Sequence, residues 1–498
     1  MESRQFSRQS AVLLLALITA MGIILRVAGL GQDLWIDEVA TLDALRESTP
    51  WQLLTTYGGA NHHMLNSLLV WVSIKLMGET EWTVRLAAVF FGAATVPVMY
   101  WMGRLARFTR GEALAGALLL ALSYHHIWFS QNARGYTGYI FFSLLATGAL
   151  VRVLNAPGRR WVVLFVAASG LNFLALLPSV CVFGAQVIAA GAALWFDRSP
   201  VPGDAGRRRR VLVALAAGAA MALMVYAPIG LEILKSLGRF APKQVTAFPL
   251  ASLAFVQEVV RGLFPGVSAA WLVLVPLPVA FVIAGTVAIV RQAPVLAGVL
   301  IGSHLLFAGV ILVLGWPIYP RLFILALPLG LLTLVALAAA LERRLPDRWP
   351  VLRRSFAPAV LVAATAGLAL LLPGLYRLPK QPYRLALTEA ARLGGPEPLA
   401  IAVGTADRGI KYYMEREPSR PIQVGYARTV GEFNKFLAGH PRKNILLIST
   451  FNRALAIERP ELWALMQKGW RRAVVCPGNL QGGEITVWAP LAEPAAAP

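Results

Sequence analysis

Residues 10–47 read SAVLLLALITAMGIILRVAGLGQDLWIDEVATLDALRE, a long apolar run that passes directly into an acidic, helix-patterned segment. A run such as 10–30 is long enough to cross the hydrocarbon of a bilayer, which takes about 20 residues. It lacks a small-x-small cleavage site and further apolar runs follow, so it reads as a retained span rather than a removed signal. Working outward, the same pattern recurs at 84–103, 112–130, 135–154, 161–177, 179–196, 211–231, 270–290, 293–314, 321–341 and 355–375, giving eleven expected spans. The composition agrees. Of 498 residues 57% are hydrophobic and 14% charged, with a mean hydropathy of +0.63. Soluble domains carry about 25% charged residues. Disordered, collagen-like and disulfide-scaffold classes are excluded, and Cys181 and Cys476, one in an apolar run and one near the C-terminus, give no disulfide framework.

The net charge of +21 invites a nucleic-acid reading, but the arginines sort by loop. One alternating set of short connections holds nineteen of them, including Arg104, Arg107 and Arg110, the run Arg207–Arg210, and Arg343 with Arg344. The other set, led by 31–83, is longer and poorer in positive charge. Positive loops stay cytoplasmic. The pattern predicts an inside N-terminus and an outside C-terminus, and it explains the charge without nucleic acid. After Pro373 and Gly374 the composition shifts. Short β-rich runs at 398–404, 421–426, 444–450, 472–476 and 484–488 alternate with helix-like stretches near 406–416, 428–439 and 459–469. This predicts a membrane domain over 1–376 and an extracytoplasmic α/β domain over 377–498.

Chemistry-bearing residues collect in the loops expected outside. Segment 31–83 is long for a connection, and long ordered loops tend to be functional. Asp33 is placed to cap a helix with Asp37 and Glu38 in its first turns. Helix-dipole complementarity alone accounts for such acids. The sharper alternative is a general base, with Trp35 and Ile36 setting Asp37 at the membrane interface. Residues 64–77 form an apolar stretch too short to span comfortably, read as interfacial or re-entrant, preceded by His62 and His63. The turn SYHHIWFSQNARGYTGY carries His125, His126, Gln131 and Arg134; if helical, Ser130 and Gln131 share a face with Arg134. An aromatic belt explains its tyrosines and tryptophan, but not two histidines and a guanidinium. The stretch GWPIYPRLF adds Tyr319 and Arg321. Snorkelling accounts for a lone arginine there; phosphate binding is the functional reading for a planar guanidinium. Asp37, Glu38 and the histidines leave a divalent metal open as an alternative, although no HxxxH, HExxH or CxxC spacing is present.

Five motifs in order, LWIDEVAT, NHHMLNSLL, ETEWTVRLAAV, SQNARGY and YPRLF, resemble those of the glycosyltransferase C superfamily, in particular the bacterial relatives of protein O-mannosyltransferases and aminoarabinose lipid A transferases. The resemblance covers residues 10 to about 341. It implies a polytopic α-helical membrane protein with a helical first external loop and a soluble extracytoplasmic domain. It also implies a bacterial cell-membrane location and a polyprenyl-phosphate-linked sugar donor. Transfer would run to a lipid, glycan or protein acceptor on the extracytoplasmic side. Carried over by position, Asp37 is the base that deprotonates the acceptor and Glu38 its motif partner. Arg134 and Arg321 contact the departing lipid phosphate, and His62 takes the position of a family loop residue. His63, His125, Gln131 and Tyr319, read from the residues themselves, complete the expected substrate site. Where the family carries a proline after the His62 position, this chain runs His63-Met64. No DxD is present, which suits a lipid donor with no required cofactor. The rival reading is a transporter or lipid flippase without chemistry, for which Arg26 and His304 are the in-span ionisable residues.

Overall fold

A segment in hydrocarbon must satisfy its backbone within itself, so apolar runs of span length become helices. In the computed structural model, which describes residues 6–57, 63–196, 206–239, 276–314, 320–441 and 444–491, each of the eleven apolar runs is helical over most of its described residues. Seven helices are long and apolar enough to cross a membrane: Arg8–Val27, Thr83–Leu105, Tyr136–Asn155, Gly206–Tyr226, Pro294–Leu314, Ala326–Arg344 and Pro350–Arg377. An eighth is counted if Arg110–Leu122 and Tyr124–Ser130, bent by 57° at one break, form a single span. The break is at Ser123, whose backbone is extended and whose hydroxyl caps the second piece at His126 N. The remaining runs form Arg159–Ala175, Ser179–Trp195 and Pro276–Gln292, each of 17 residues. The chain is therefore a polytopic helical membrane protein with seven to eight candidate spans among the described residues. The stretch at 64–77 is a helix, Met64–Met77, closed by Gly78 at φ +80°.

The chain folds as two compact units, Met1–Leu30 with Ser48–Leu372, and Gly31–Glu47 with Pro373–Pro498. The boundary thus departs from a simple cut at 376: the DE-bearing segment of the first loop packs with the C-terminal residues.

In the first unit the helix Tyr136–Asn155 is almost wholly buried and packs against Leu86–Leu105 and Arg159–Ala175. Lipid tails are as apolar as leucine, so tight steric packing has to hold such helices together. Gly92 shows the requirement: a Cβ there would stand 2.1 Å from Ser130 Oγ.

The second unit begins with α1 (Ile36–Arg46) and continues with α2 (Tyr383–Leu393), β1 (Leu399–Val403), α3 (Ala406–Arg416), β2 (Gln423–Ala427), α4 (Val430–Ala438), β3 (Ile445–Thr450), α5 (Asn452–Glu458), α6 (Pro460–Gly469), β4 (Trp470–Cys476) and β5 (Ile485–Pro490). The strand order is β2-β1-β3-β5-β4. β1, β2 and β3 are parallel, with Ile401 between Gly425 and Leu447; β5 runs antiparallel to both β3 and β4. β1 and β3 are buried on both faces, which is why their sequences are near-continuously apolar. Trp488 and Trp470 fill the core while their indole N–H groups donate to Ser449 Oγ and Ile445 O, each at 2.8 Å.

Candidate functional site

The acidic segment of the first loop is fixed, residue by residue, within the second unit. The Asp33 carboxylate accepts from the backbone N–H of Arg384 at 2.8 Å and from its guanidinium at 3.0 Å. The Leu34 N–H donates to the Tyr413 hydroxyl at 2.6 Å, and the Ile36 N–H donates to Gln381 Oε1 at 2.8 Å. Gln381 is fully buried; its Oε1 also accepts from the Tyr383 hydroxyl, and its amide donates to Thr450 Oγ1. Burial pushes the Tyr383 hydroxyl well above its ordinary pKa, so it stays a neutral donor. Arg384 lies 4.5 Å over the Tyr413 ring and donates to Glu417.

Two expectations change here. Asp33 does not cap the helix. α1 starts at Ile36 with Trp35 at the cap position, and Asp33, two residues before that cap, pairs instead with Arg384. Trp35 is 3% exposed and belongs to the packed interior. Glu38, expected as the motif partner of the base, is fully buried and reaches back to the Trp35 N–H at 3.1 Å. That is the contact of an N3 glutamate closing a helix start. Asp37 occupies the first turn of α1, half-buried, at the end where amide dipoles are positive.

In the first unit the turn after Tyr124–Ser130 gathers most of the other expected residues. The helix stops at Ser130, so Gln131 and Arg134 lie in a turn and the expected helical face with Ser130 does not form. Arg134 is 1% exposed. His63 packs against the neighbouring Gly135, where a Cβ would stand 2.9 Å from its Nδ1, and its ring meets Tyr136 edge-on at 5.3 Å. His63 and the Arg134–Tyr136 turn are thereby brought together. His125 is half-buried against Tyr124. Gln131 donates its amide to the carbonyls of Leu25, Arg26 and Ala28, closing the end of the first helix. Arg321 sits half-buried on the turn Pro320–Phe323, whose Phe323 stacks on His304. His62 and Tyr319 lie outside the described residues.

Arg26 and His126 were named in the sequence without the contact that joins them, and a second group was not named at all. Arg26 is fully buried, donates to the carbonyls of Gly22, Leu120 and Ala121, and meets His126 Nδ1 at 2.7 Å. Arg26 and His126 therefore tie the first helix to the bent pair. The signal was available, because an arginine inside an apolar span demands partners. Gln381, Arg384 and Tyr413 carried no local signal. Among the described residues no three His, Cys, Asp or Glu side chains gather to hold a metal ion.

No family profile and no curated protein sequence matches the chain. Solved structures do. ArnT from Cupriavidus metallidurans in the apo state aligns with a TM-score of 0.53 at 16% identity, over 96% of this chain and 97% of that one. The same protein bound to undecaprenyl phosphate aligns with a TM-score of 0.51 at 16% identity, over 99% and 100% of the two chains. The arabinofuranosyltransferase AftD from Mycobacteria aligns with a TM-score of 0.51 at 17% identity, over 99% of this chain and 40% of that one. The chain thus shares its fold with ArnT over nearly the whole of both chains, as the resemblance drawn from the five motifs leads one to expect.

Proposed function

We propose that the protein is a membrane glycosyltransferase that moves a sugar from a polyprenyl-phosphate donor to an acceptor hydroxyl. The fold it shares with ArnT bound to undecaprenyl phosphate is the single observation that carries this reading. Asp37, on the first turn of a helix held by the α/β domain, accepts the acceptor proton. The acceptor oxygen then bonds to the anomeric carbon from the face opposite the leaving group. The bond from that carbon to the phosphate oxygen breaks, its electron pair stays on the polyprenyl monophosphate, and the anomeric configuration inverts. Arg134 and Arg321 hold the phosphate as its charge grows, electrostatic stabilisation placed where charge develops. His63 and His125, with His62 and Tyr319, line the donor side. Glu38 serves the site through the helix start it closes.

In this reading all eleven apolar runs cross the membrane, the N-terminus lies inside, and the site and α/β domain face the extracytoplasmic side of a bacterial cell membrane. The reaction needs no metal, because the donor carries a monophosphate ester rather than a nucleotide diphosphate. The test is mass spectrometry of lipid-linked sugars and envelope glycans in cells with and without the active protein. A lipid-linked sugar should accumulate, and one glycan should lose a residue, when the protein is inactive. Identical profiles contradict the reading.

A further inference from the structure

The second unit contains a cleft that the transfer mechanism does not use. It has a volume of ≈ 280 Å³ and opens at the carboxyl ends of the parallel strands. β1 stands between β2 and β3, so the connection leaving β1 goes one way and the chain then crosses back to the other side. Parallel sheets bind ligands at such a reversal, outside the strand ends, where the diverging loops leave a crevice. Here the turn after β1 supplies Gly404, the start of α3 supplies Asp407, and the segment after β3 supplies Leu455, Glu458 and Arg459. Gly404 has φ +64°, and a Cβ there would stand 2.8 Å from Leu455 Cδ1. Only glycine lets the backbone turn this sharply into α3 while the two loops approach.

The wall is charged in a specific way. Arg408, Arg428 and Arg459 face it together with Asp407 and Glu458. Arg428 is held charged by its bond to the Asp407 carboxylate, and Arg408 reaches Asp43 at 3.2 Å. The Arg459 guanidinium makes no ion pair among the described residues and is exposed. Guanidinium groups recognise planar or tetrahedral oxyanions, and carboxylates accept from hydroxyls. Ile36, the residue before Asp37, forms part of the same wall.

We propose that this cleft binds an anionic saccharide unit of the acceptor, with the three arginines on its acid group and Asp407 and Glu458 on its hydroxyls. The word acceptor rests on the transferase reading; the binding itself does not. Ile36 in the wall puts the cleft beside α1, so the unit held there anchors the glycan chain next to the helix that carries Asp37.

The test uses the full-length protein in nanodiscs of neutral lipid, titrated with glucose 1-phosphate in one arm and glucuronic acid in the other. Neutral glucose is the control. Saturable binding in at least one charged arm is expected, weakened about tenfold by Arg459→Gln, the loss of one charge-assisted contact, and retained by Asp37→Asn. The arm that binds names the acid group as phosphate or carboxylate. Arg459 is exposed, so its variant should unfold at the wild-type temperature. Three results overturn the proposal: no saturable binding in either arm, glucose binding as tightly as the charged sugars, or affinity unchanged in both Arg459→Gln and Arg428→Gln. Failure of the transferase reading shows separately, as identical lipid-linked sugar and glycan profiles in cells with and without the active protein, and leaves this binding result standing.

Discussion

The backbone amide of Ile36 donates to the side-chain oxygen of Gln381 across 2.8 Å, joining residues 345 positions apart in the chain. Ile36 is the first residue of α1 and Asp37 the second, so this bond fixes where the acidic pair begins its helix. Its amide has no intrahelical acceptor, as for every first-turn N–H. The α/β domain supplies one.

Gln381→Leu should remove the acceptor for both Ile36 and the Tyr383 hydroxyl. Leaving buried donors unsatisfied costs about 1–3 kcal/mol. Thermal unfolding should report that loss. Transfer should fall while polyprenyl-phosphate affinity is kept, because the donor-side residues belong to the other unit. A variant with wild-type stability and transfer removes Gln381 from this role.

Arg26→Met tests the buried hub of the membrane unit. It deletes the contacts to Gly22, Leu120, Ala121 and His126. Hydrogen bonds to charged groups contribute about 1.5–3 kcal/mol, so the unfolding temperature in detergent should drop clearly. An unchanged unfolding temperature would show the arginine to be structurally idle.

Arg321→Ala and Arg134→Ala address the phosphate. Each should lower kcat/KM by about 10- to 100-fold, the scale of one charge-assisted contact to a developing anion. Polyprenyl-phosphate affinity should fall in parallel for each variant. Arg321 is the cleaner probe, since it is half-buried on a turn whereas Arg134 is almost wholly buried.

Much of this was legible in the sequence, for identifiable reasons. Runs of span length favour a helix, and every one of them is helical over most of its described residues. The α/β domain read well because its strands are short β-rich runs separated by amphipathic helices; 445–450 and 485–490 fall within two residues of the expected stretches. The helices Tyr383–Leu393 and Asn452–Glu458 were not foreseen, the second because it follows β3 after a single residue, Phe451, in the left-handed region at φ 50°. Partnership was the illegible part. A sequence shows that Asp33 is acidic and near a helix start, and capping is the local inference. That Arg384 takes it instead depends on a contact 351 residues away. Gln131 likewise gives its amide to the carbonyls at the end of the first helix, partners about a hundred residues earlier that no local pattern points to.

The ion pairs that Glu417 makes with Arg384 and Arg420 should respond to acid. Burial raises the pKa of Glu417, but hydrogen bonds from Arg384 and Arg420 outweigh it and hold the group below its ordinary 4.5. A depressed carboxylate adds stability above that ordinary value and loses it as pH falls through the folded pKa. The contribution is small, since Glu417 is largely solvated. Acid unfolding curves of the wild type and Glu417→Gln should therefore converge below pH 4.5 and separate above it. Curves that stay parallel throughout would contradict the assignment.

With Asp37 as the group that takes the acceptor proton, Asp37→Asn removes the base and keeps the side chain's shape. The purified variant, reconstituted with a polyprenyl-phosphate-sugar donor, should fold and bind donor as the wild type does, while its transfer rate falls by about 10²- to 10⁴-fold, the range for losing a general base. Undiminished transfer by a folded Asp37→Asn protein would contradict the account.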